Sequence, residues 1–129
     1  MSWMEKRDEM HGQLRKLNKA IPEVTKAFAG VSAVVKTDGV LDVKTKELIA
    51  VAIAVADSCE PCMNFHIEVL IRAGGTREEL GEALGMAVQM GGGPALMYAA
   101  KAMDAYDELH EALAPKAAAG KPADVNGVA

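Results

Sequence analysis

Apolar residues recur at helical spacing along most of this chain, and turn residues divide the pattern into six segments. Spacings of three to four residues place the apolar side chains of each segment on one face, which is typical of amphipathic helices. Alternation of apolar and polar residues, the pattern of a half-buried strand, is scarce. We therefore predict an all-α protein of about six helices packed as a bundle or orthogonal array. The predicted segments are 3–20, 22–35, 42–56, 59–73, 76–90 and 94–113.

Local signals set several of these boundaries. Pro22 suits the first turn of a helix, where its missing N–H costs nothing. Asp42 is a favourable N-cap for the third helix. Gly74 provides a left-handed exit from the fourth helix. Thr76 and Glu79 then form a capping box that predicts the start of the fifth.

We expect the apolar face of each helix to be buried. The third helix is apolar on every side from Leu48 to Ala56, which predicts the buried centre of the bundle or of an assembly. Five methionines lie between residues 63 and 103, and some helix faces are expected to pack against other subunits. Inward-facing side chains are predicted in the second helix at Val24, Phe28, Val31 and Val35, and in the sixth at Leu96, Met97, Ala100, Met103, Tyr106 and Leu109.

The length of 129 residues fits one domain, which we place at 1–113. Residues 114–129 are rich in Ala, Gly, Pro and Lys, and are predicted to form a flexible tail. A net charge of −4 and the absence of basic runs argue against nucleic-acid binding. The start of the chain is polar rather than signal-like, and the longest apolar run is too short to cross a membrane, so we expect a cytoplasmic protein.

The groups most suited to chemistry follow the apolar third helix. Cys59 and Cys62 are the two cysteines of the chain, and His66 comes one helical turn later. On a helix over 59–73, at about 100° per residue, all three would share one face. The first turn of a helix favours a thiolate, and His66 could accept the thiol proton. Two alternatives stay open: cysteines that only fill the core, and a metal site without an obvious fourth ligand.

Glu47 stands at the point of the third helix where polarity ends. As a surface residue it would complement the positive end of the helix dipole. As a partly buried residue it would face His66 from the neighbouring helix and orient the imidazole. The sequence favours neither interpretation.

The residues Glu47, Cys59, Cys62 and His66, with this spacing, resemble the carboxymuconolactone decarboxylase superfamily, and within it the alkylhydroperoxidase D-like branch. The segments 67–84 and 91–99 are also similar to small members of that family. The resemblance covers about 40–113. It departs from the branch between the cysteines, where a second histidine is common and this chain has Glu-Pro.

The resemblance implies an all-helical subunit that assembles into homotrimers or homohexamers and reduces hydroperoxides. By the family pattern Cys62 attacks the peroxide, Cys59 resolves the sulfenic acid as a disulfide, and Glu47 with His66 relays protons. A dithiol partner of lipoyl or thioredoxin type would restore the thiols, and no cofactor beyond the cysteine pair is implied. Helix-terminus physics alone would instead make Cys59 the attacking thiolate.

Two other functions stay open. A lyase or decarboxylase could use His66 and Glu47 as acid and base with the cysteines incidental, although the true decarboxylase branch lacks the cysteine pair. A non-enzymatic metal-binding or assembly module is the third possibility.

Overall fold

The computed structural model describes the backbone of residues 1–118 and the side chains of residues 1–113. Within these residues the chain forms helices and no strands, so the prediction of an all-α fold with six helices is confirmed. The helices are α1 Trp3–Ala20, α2 Pro22–Val35, α3 Val43–Ala56, α4 Glu60–Arg72, α5 Arg77–Gly91 and α6 Gly93–Ala118.

Four helices form the core. α4 packs against α3 and α6, and α5 packs against the same two helices. The buried cluster joins residues of these four helices to Trp3 of α1. Its largest fully buried side chains are Met63, Ile67, Leu70, Leu80, Leu109, Leu113, Glu47, Val51 and Val55. Glu47 is the one charged residue among them, and its burial is explained by the site described below.

The capping signals in the sequence act as predicted. The side chain of Asp42 accepts a hydrogen bond from the N–H of Thr45 at the start of α3. Thr76 and Glu79 form the reciprocal capping box of α5. Gly74 has a φ of 85°, the left-handed conformation expected after α4.

The first half of the long helix α6 presents alanines, rather than its large side chains, to the core. Ala95, Ala99, Ala102 and Ala105 are buried, whereas Leu96 and Met97 are 52% and 64% exposed. The prediction that Leu96, Met97 and Ala100 face inward is therefore wrong, while Tyr106 and Leu109 are buried as predicted. Small side chains let α6 lie close to α4 and α5, and this leaves the bulky residues of its first turns outside.

Helix α1 is fastened to the core by polar contacts around its first turn. The indole Nε1 of Trp3 donates a hydrogen bond to Asp104 at 2.8 Å, and the backbone N–H of Trp3 donates to Glu108. The Asn64 side chain donates to the Trp3 carbonyl at 3.0 Å. Arg7 pairs with Glu68 of α4 at 2.9 Å.

Among the helices of the described residues, α2 packs against α1 and not against α3, α4, α5 or α6. The prediction that its apolar residues face inward is wrong for the single chain: Val24, Phe28, Val31 and Val35 are 63%, 59%, 57% and 52% exposed. The core helices also carry exposed apolar side chains. Ile49 and Ile53 are exposed on α3, which is therefore not buried on every side. Met86 and Met90 of α5 and Leu96 and Met97 of α6 are exposed as well.

The helical backbone of α6 continues to Ala118, past the predicted domain end at 113. Residues 119–129, and with them most of the predicted tail, lie outside the described residues. In the part of the chain that is described, no helix is both long enough and apolar enough to span a bilayer.

Candidate active site

The link between α3 and α4 sets up the site. Asp57 closes α3, and Ser58 adopts a φ of 57°, a left-handed conformation that few residues other than glycine occupy. The N–H of Cys59 then donates to the carbonyl of Ala54 at 2.9 Å, which folds the link back onto the end of α3. This short reversal brings the first turn of α4 against the last turn of α3.

The two cysteines occupy the N-terminus of α4. Cys59 is the N-cap with extended backbone, rather than the first helical residue, so the expected helical angle between Cys59 and the other two side chains does not apply. The N–H of Cys62 donates to Cys59 Sγ at 3.3 Å. A disulfide joins the two sulfurs, with the Cα atoms 5.3 Å apart. Both residues are partly exposed, so the sulfur pair is not sealed inside the core.

His66 lies one turn after Cys62 on α4, in the i,i+4 relation that places two side chains on the same helix face. Its Nδ1 is 2.6 Å from Oε2 of Glu47, which reaches across from α3. The side chains of Glu47 and His66 are only 2% and 12% exposed. The structure therefore has the buried arrangement of Glu47, one of the two that the sequence left open.

This geometry suits proton transfer. An ionised carboxylate can only accept hydrogen bonds, so Nδ1 of His66 carries the proton toward Glu47 and Nε2 is left with a free lone pair. A histidine oriented in this way can take a proton from a group on its other side and return it later. The site consists of a disulfide or dithiol at a helix N-terminus and an oriented imidazole on the next turn.

A third charged group at this site was not predicted from the sequence. Nζ of Lys36, the residue that ends α2, lies 4.0 Å from Oε1 of Glu47, and the Lys36 side chain is only 6% exposed. The sequence holds no signal for it: Lys36 follows Ser32 by four residues and shares its side of α2, but the burial of Ser32 is seen only in the structure.

The residue between the cysteines also has a defined environment. Glu60 binds Lys101 of α6 at 2.8 Å and Lys6 of α1 at 3.1 Å. Hydrogen bonding from Lys101, followed by that from Lys6, lowers the pKa of Glu60 despite the opposing effect of burial. Glu60 therefore ties the start of α4 to both α1 and α6.

The two remaining histidines take part in other contacts. The His11 ring lies 4.7 Å from that of Phe65, and the His110 ring stacks on Tyr106 at 5.4 Å. Among the described residues, no group of three or more His, Cys, Asp or Glu side chains has an arrangement that could hold a metal ion.

The sequence profile of the Carboxymuconolactone decarboxylase family matches residues 22–105, which include Glu47, both cysteines and His66. The chain belongs to this family. A cysteine pair joined as a disulfide at this position is consistent with the alkylhydroperoxidase D-like branch.

Solved structures of the family share the fold. A carboxymuconolactone decarboxylase family protein from Legionella pneumophila, crystallised in its apo form, is 48% identical, with a TM-score of 0.80 over 83% of this chain and 96% of that one. A family member from Thermotoga maritima, for which a role in the antioxidative response is suggested, is 29% identical, with a TM-score of 0.71 over 89% of this chain and 95% of that one.

Relatives also match by sequence. An uncharacterized protein of Cupriavidus necator is 43% identical over 79% of this chain and 90% of its own length. The uncharacterized protein 4 of the cox locus of Paracoccus denitrificans is 38% identical over 74% of this chain and 86% of its own length.

Proposed function

We propose that this family member is a thiol-dependent peroxidase, a disulfide redox protein that reduces hydroperoxides with Cys59 and Cys62. The observation that carries the proposal is the contact of 2.6 Å between His66 and Glu47, one helical turn from a cysteine pair at a helix N-terminus. A cysteine pair that only filled space would not need a buried carboxylate oriented toward a neighbouring imidazole.

The first step oxidises one sulfur. The thiolate of Cys62 attacks the distal oxygen of a hydroperoxide, the O–O bond breaks, and the sulfur becomes a sulfenic acid while the peroxide leaves as an alkoxide. His66, which has taken the proton of the Cys62 thiol, returns it to the alkoxide, so the product is an alcohol. Glu47 stabilises the imidazolium that exists between these two transfers.

The second step closes the disulfide. The thiol of Cys59 attacks the sulfenic sulfur of Cys62, water leaves, and the pair reaches the state present in the structure. A dithiol reductant of lipoyl or thioredoxin type then exchanges with the disulfide and is itself oxidised to a disulfide. One hydroperoxide and one external dithiol are consumed in each cycle.

Two further facts support this function. Both cysteine residues are partly exposed, and attack on a substrate and exchange with a second dithiol require access of this kind. The Thermotoga maritima relative, for which an antioxidative role is suggested, shares the fold at 29% identity.

The roles of the two sulfurs are separated by a matched pair of variants. In the reduced protein, hydroperoxide should remove two thiols per subunit, and intact mass should show the loss of two hydrogens. Cys62→Ser should leave Cys59 unoxidised, whereas Cys59→Ser should stop at a sulfenic acid on Cys62 that a 1,3-dione traps. The hydrogen bond from the Cys62 N–H to Cys59 Sγ favours a thiolate at Cys59, so the reverse pattern would make Cys59 the attacking residue. An unchanged thiol count in the unmodified protein would reject peroxidase activity.

The acid–base function of the lyase alternative depends on the same contact between Glu47 and His66. A double Cys59→Ser, Cys62→Ser variant separates the two chemistries, because a peroxidase loses all turnover and a lyase retains it. Retained decarboxylation of a lactone acid by this variant would replace the peroxidase proposal.

The proposed active form is a homotrimer or homohexamer. Its support is the apolar stripe of α2, formed by Val24, Phe28, Val31 and Val35, since four exposed apolar side chains on one face of a helix are costly in water. Phe28→Asp should lower the mass measured by light scattering after size exclusion. Ala33→Asp places the same charge on the same helix, exposed and about 180° from Val24, and should not. If the unmodified protein is a monomer in this measurement, the proposed assembly is rejected.

A further inference from the structure

Lys36 is a charged residue that the proposed chemistry has not used. It caps the C-terminus of α2 and precedes the turn that leads to α3. Its side chain is only 6% exposed, and its Nζ lies 4.0 Å from Oε1 of Glu47. Lysine is rarely buried to this extent unless it faces an opposite charge, because removing an ammonium from water is costly.

The backbone on either side of Lys36 is held in place from α3. Nζ of Lys46 donates to the carbonyl of Val35 at 2.9 Å and to that of Thr37 at 2.7 Å. Asp38 accepts a hydrogen bond from the N–H of Val43 at 2.9 Å and so fixes the following turn to the start of α3. These contacts fix the segment that carries Lys36, so its direction toward Glu47 belongs to the fold and does not depend on a mobile surface chain.

The two oxygens of Glu47 face different partners. Oε2 is 2.6 Å from Nδ1 of His66, and Oε1 faces the ammonium of Lys36. The nearest lysines on α3 itself have other partners: Lys44 pairs with Glu79 at 2.8 Å, and Lys46 binds the backbone carbonyls beside Lys36. An ammonium within about 4 Å favours the charged form of a carboxylate.

The contact with Glu47 decides which nitrogen of His66 is basic. A carboxylate cannot donate, so Nδ1 must carry the proton where it faces Oε2, and Nε2 is the acceptor. If Oε2 turned away from Nδ1, the neutral imidazole could carry its proton on Nε2 instead, and the base would be lost. The position of Oε2 therefore controls the tautomer on which the relay depends.

We propose that Lys36 is a positioning residue that holds Oε1 of Glu47 so that Oε2 stays on His66, and thereby fixes His66 as the tautomer protonated at Nδ1. Lys36 acts through Glu47 and does not contact the reacting sulfurs. The effect on the rate of thiol oxidation rests on the proposed peroxidase function, but the effect on the tautomer does not.

The tautomer is measured first, on the full-length protein. Long-range ¹H–¹⁵N correlation spectra report which nitrogen of His66 is protonated, and in the unmodified protein this should be Nδ1. In Lys36→Met, Nε2–H should become populated. Lys36→Arg retains the charge and should keep the original pattern. If Lys36→Met does not fold, Lys36→Gln, which also lacks the charge, takes its place. An Nε2–H imidazole in the unmodified protein would overturn the inference whatever the variants show.

The rate of thiol loss with hydroperoxide gives an independent readout. Lys36→Met should slow it roughly 10- to 100-fold, the usual cost of losing an outer partner of a reacting group. In a Glu47→Gln background the same substitution should change the rate less than about twofold, because the carboxylate through which Lys36 acts is already absent.

The control is Lys44→Met, which removes a lysine of the same helix α3 that pairs with Glu79 and holds neither Glu47 nor the segment that carries Lys36. It should leave the His66 tautomer unchanged. Equal tautomer shifts in Lys44→Met and Lys36→Met, or a full additional rate loss in the Glu47→Gln background, would show that Lys36 does not act through Glu47. If the unmodified protein fails to react with hydroperoxide, the peroxidase function is rejected, while the tautomer experiment still decides the role of Lys36.

Discussion

Replacing Glu47 by glutamine tests whether the buried carboxylate is held between Lys36 and His66. The substitution keeps the volume of the side chain and removes its charge, so Lys36 is left buried without that carboxylate. At an effective dielectric of about 20 and the observed separation of 4.0 Å, the attraction between Glu47 and Lys36 is about 4 kcal/mol. Lysine can recover part of this by turning its ammonium toward water. We expect the free energy of unfolding at pH 7 to fall by about 3 kcal/mol, within the range for breaking a buried pair.

The assay is chemical denaturation at pH 7 on the reduced and the oxidised protein, at a fixed protein concentration because association would shift the midpoint. At this chain length the loss corresponds to a decrease of about 12 °C in the thermal midpoint. Adding Lys36→Met to Glu47→Gln should restore at least about 1 kcal/mol, since both charges are then absent. Glu79→Gln is the matched control: it removes the charge from the exposed pair with Lys44 but keeps a cap for α5, and should have a far smaller effect. A loss below about 1 kcal/mol in Glu47→Gln, or a double variant less stable than the single one, would refute the reasoning.

Two further predictions concern contacts away from the sulfurs. Lys101 and Lys6 lower the pKa of Glu60 in the folded protein. The ionised Glu60 therefore stabilises the fold at pH values above its ordinary pKa of 4.5, and this stabilisation is lost as the pH falls through the lower pKa that Glu60 has in the folded protein. Glu60→Gln should therefore cost about 0.5 to 1 kcal/mol at pH 7 and nothing once the pH is below that folded pKa, measured by urea denaturation at several pH values; an equal loss throughout would contradict the ion-pair explanation. Tyr106 donates a hydrogen bond from its hydroxyl to the buried carbonyl of Gly75 at 2.8 Å, and burial raises the pKa of Tyr106, so the hydroxyl stays protonated at neutral pH. Tyr106→Phe should cost about 1.5 kcal/mol in the same assay and leave the rate of thiol oxidation unchanged, and a slower oxidation would place this residue in the chemistry.

Helix boundaries were predictable because they depend on neighbouring residues. Thr76 and Glu79 satisfy each other's backbone groups within one turn, and Asp42 caps the turn that follows it. Such contacts are fixed by spacing along the chain, and spacing is visible in a sequence. The position of Cys59 shows the limit of this method. A cysteine is an unusual N-cap, so the sequence placed it inside α4, and the structure places it before the first turn.

The faces that the helices bury were less predictable. Periodicity finds the apolar stripe of α2, but it does not say whether that stripe meets the core of the same chain or another surface. In α6 the rule that large apolar residues face inward fails, because the closely packed side is built from alanines such as Ala99 and Ala102. Leu96 and Met97 are more hydrophobic than these alanines, so hydrophobicity alone predicts that they are buried. The helices lie so close together, however, that only the smaller side chains fit between them.

The candidate site was also predictable only in part from the sequence. The relation of Cys62 to His66 follows from helical spacing and was predicted, whereas the burial of Glu47 depends on how α3 crosses α4 and was only one of two possibilities. Lys36 could not be assigned because its role depends on a partner from another helix, and on α2 being directed by Lys46 and the turn after it.

Lys36 connects α2, which among the described helices packs only against α1, to the buried carboxylate of Glu47. Glu47 and His66 belong to core helices whose relative position is fixed by close packing, so their contact does not depend on α2. Lys36 ends a helix that packs only against α1 among the described helices and exposes an apolar stripe. In the proposed assembly that stripe would be covered, which would add to the hold that Lys46 already gives the segment carrying Lys36. The chemistry of the sulfurs would then be tuned from the subunit interface through one ammonium group, without any residue of a second subunit entering the site.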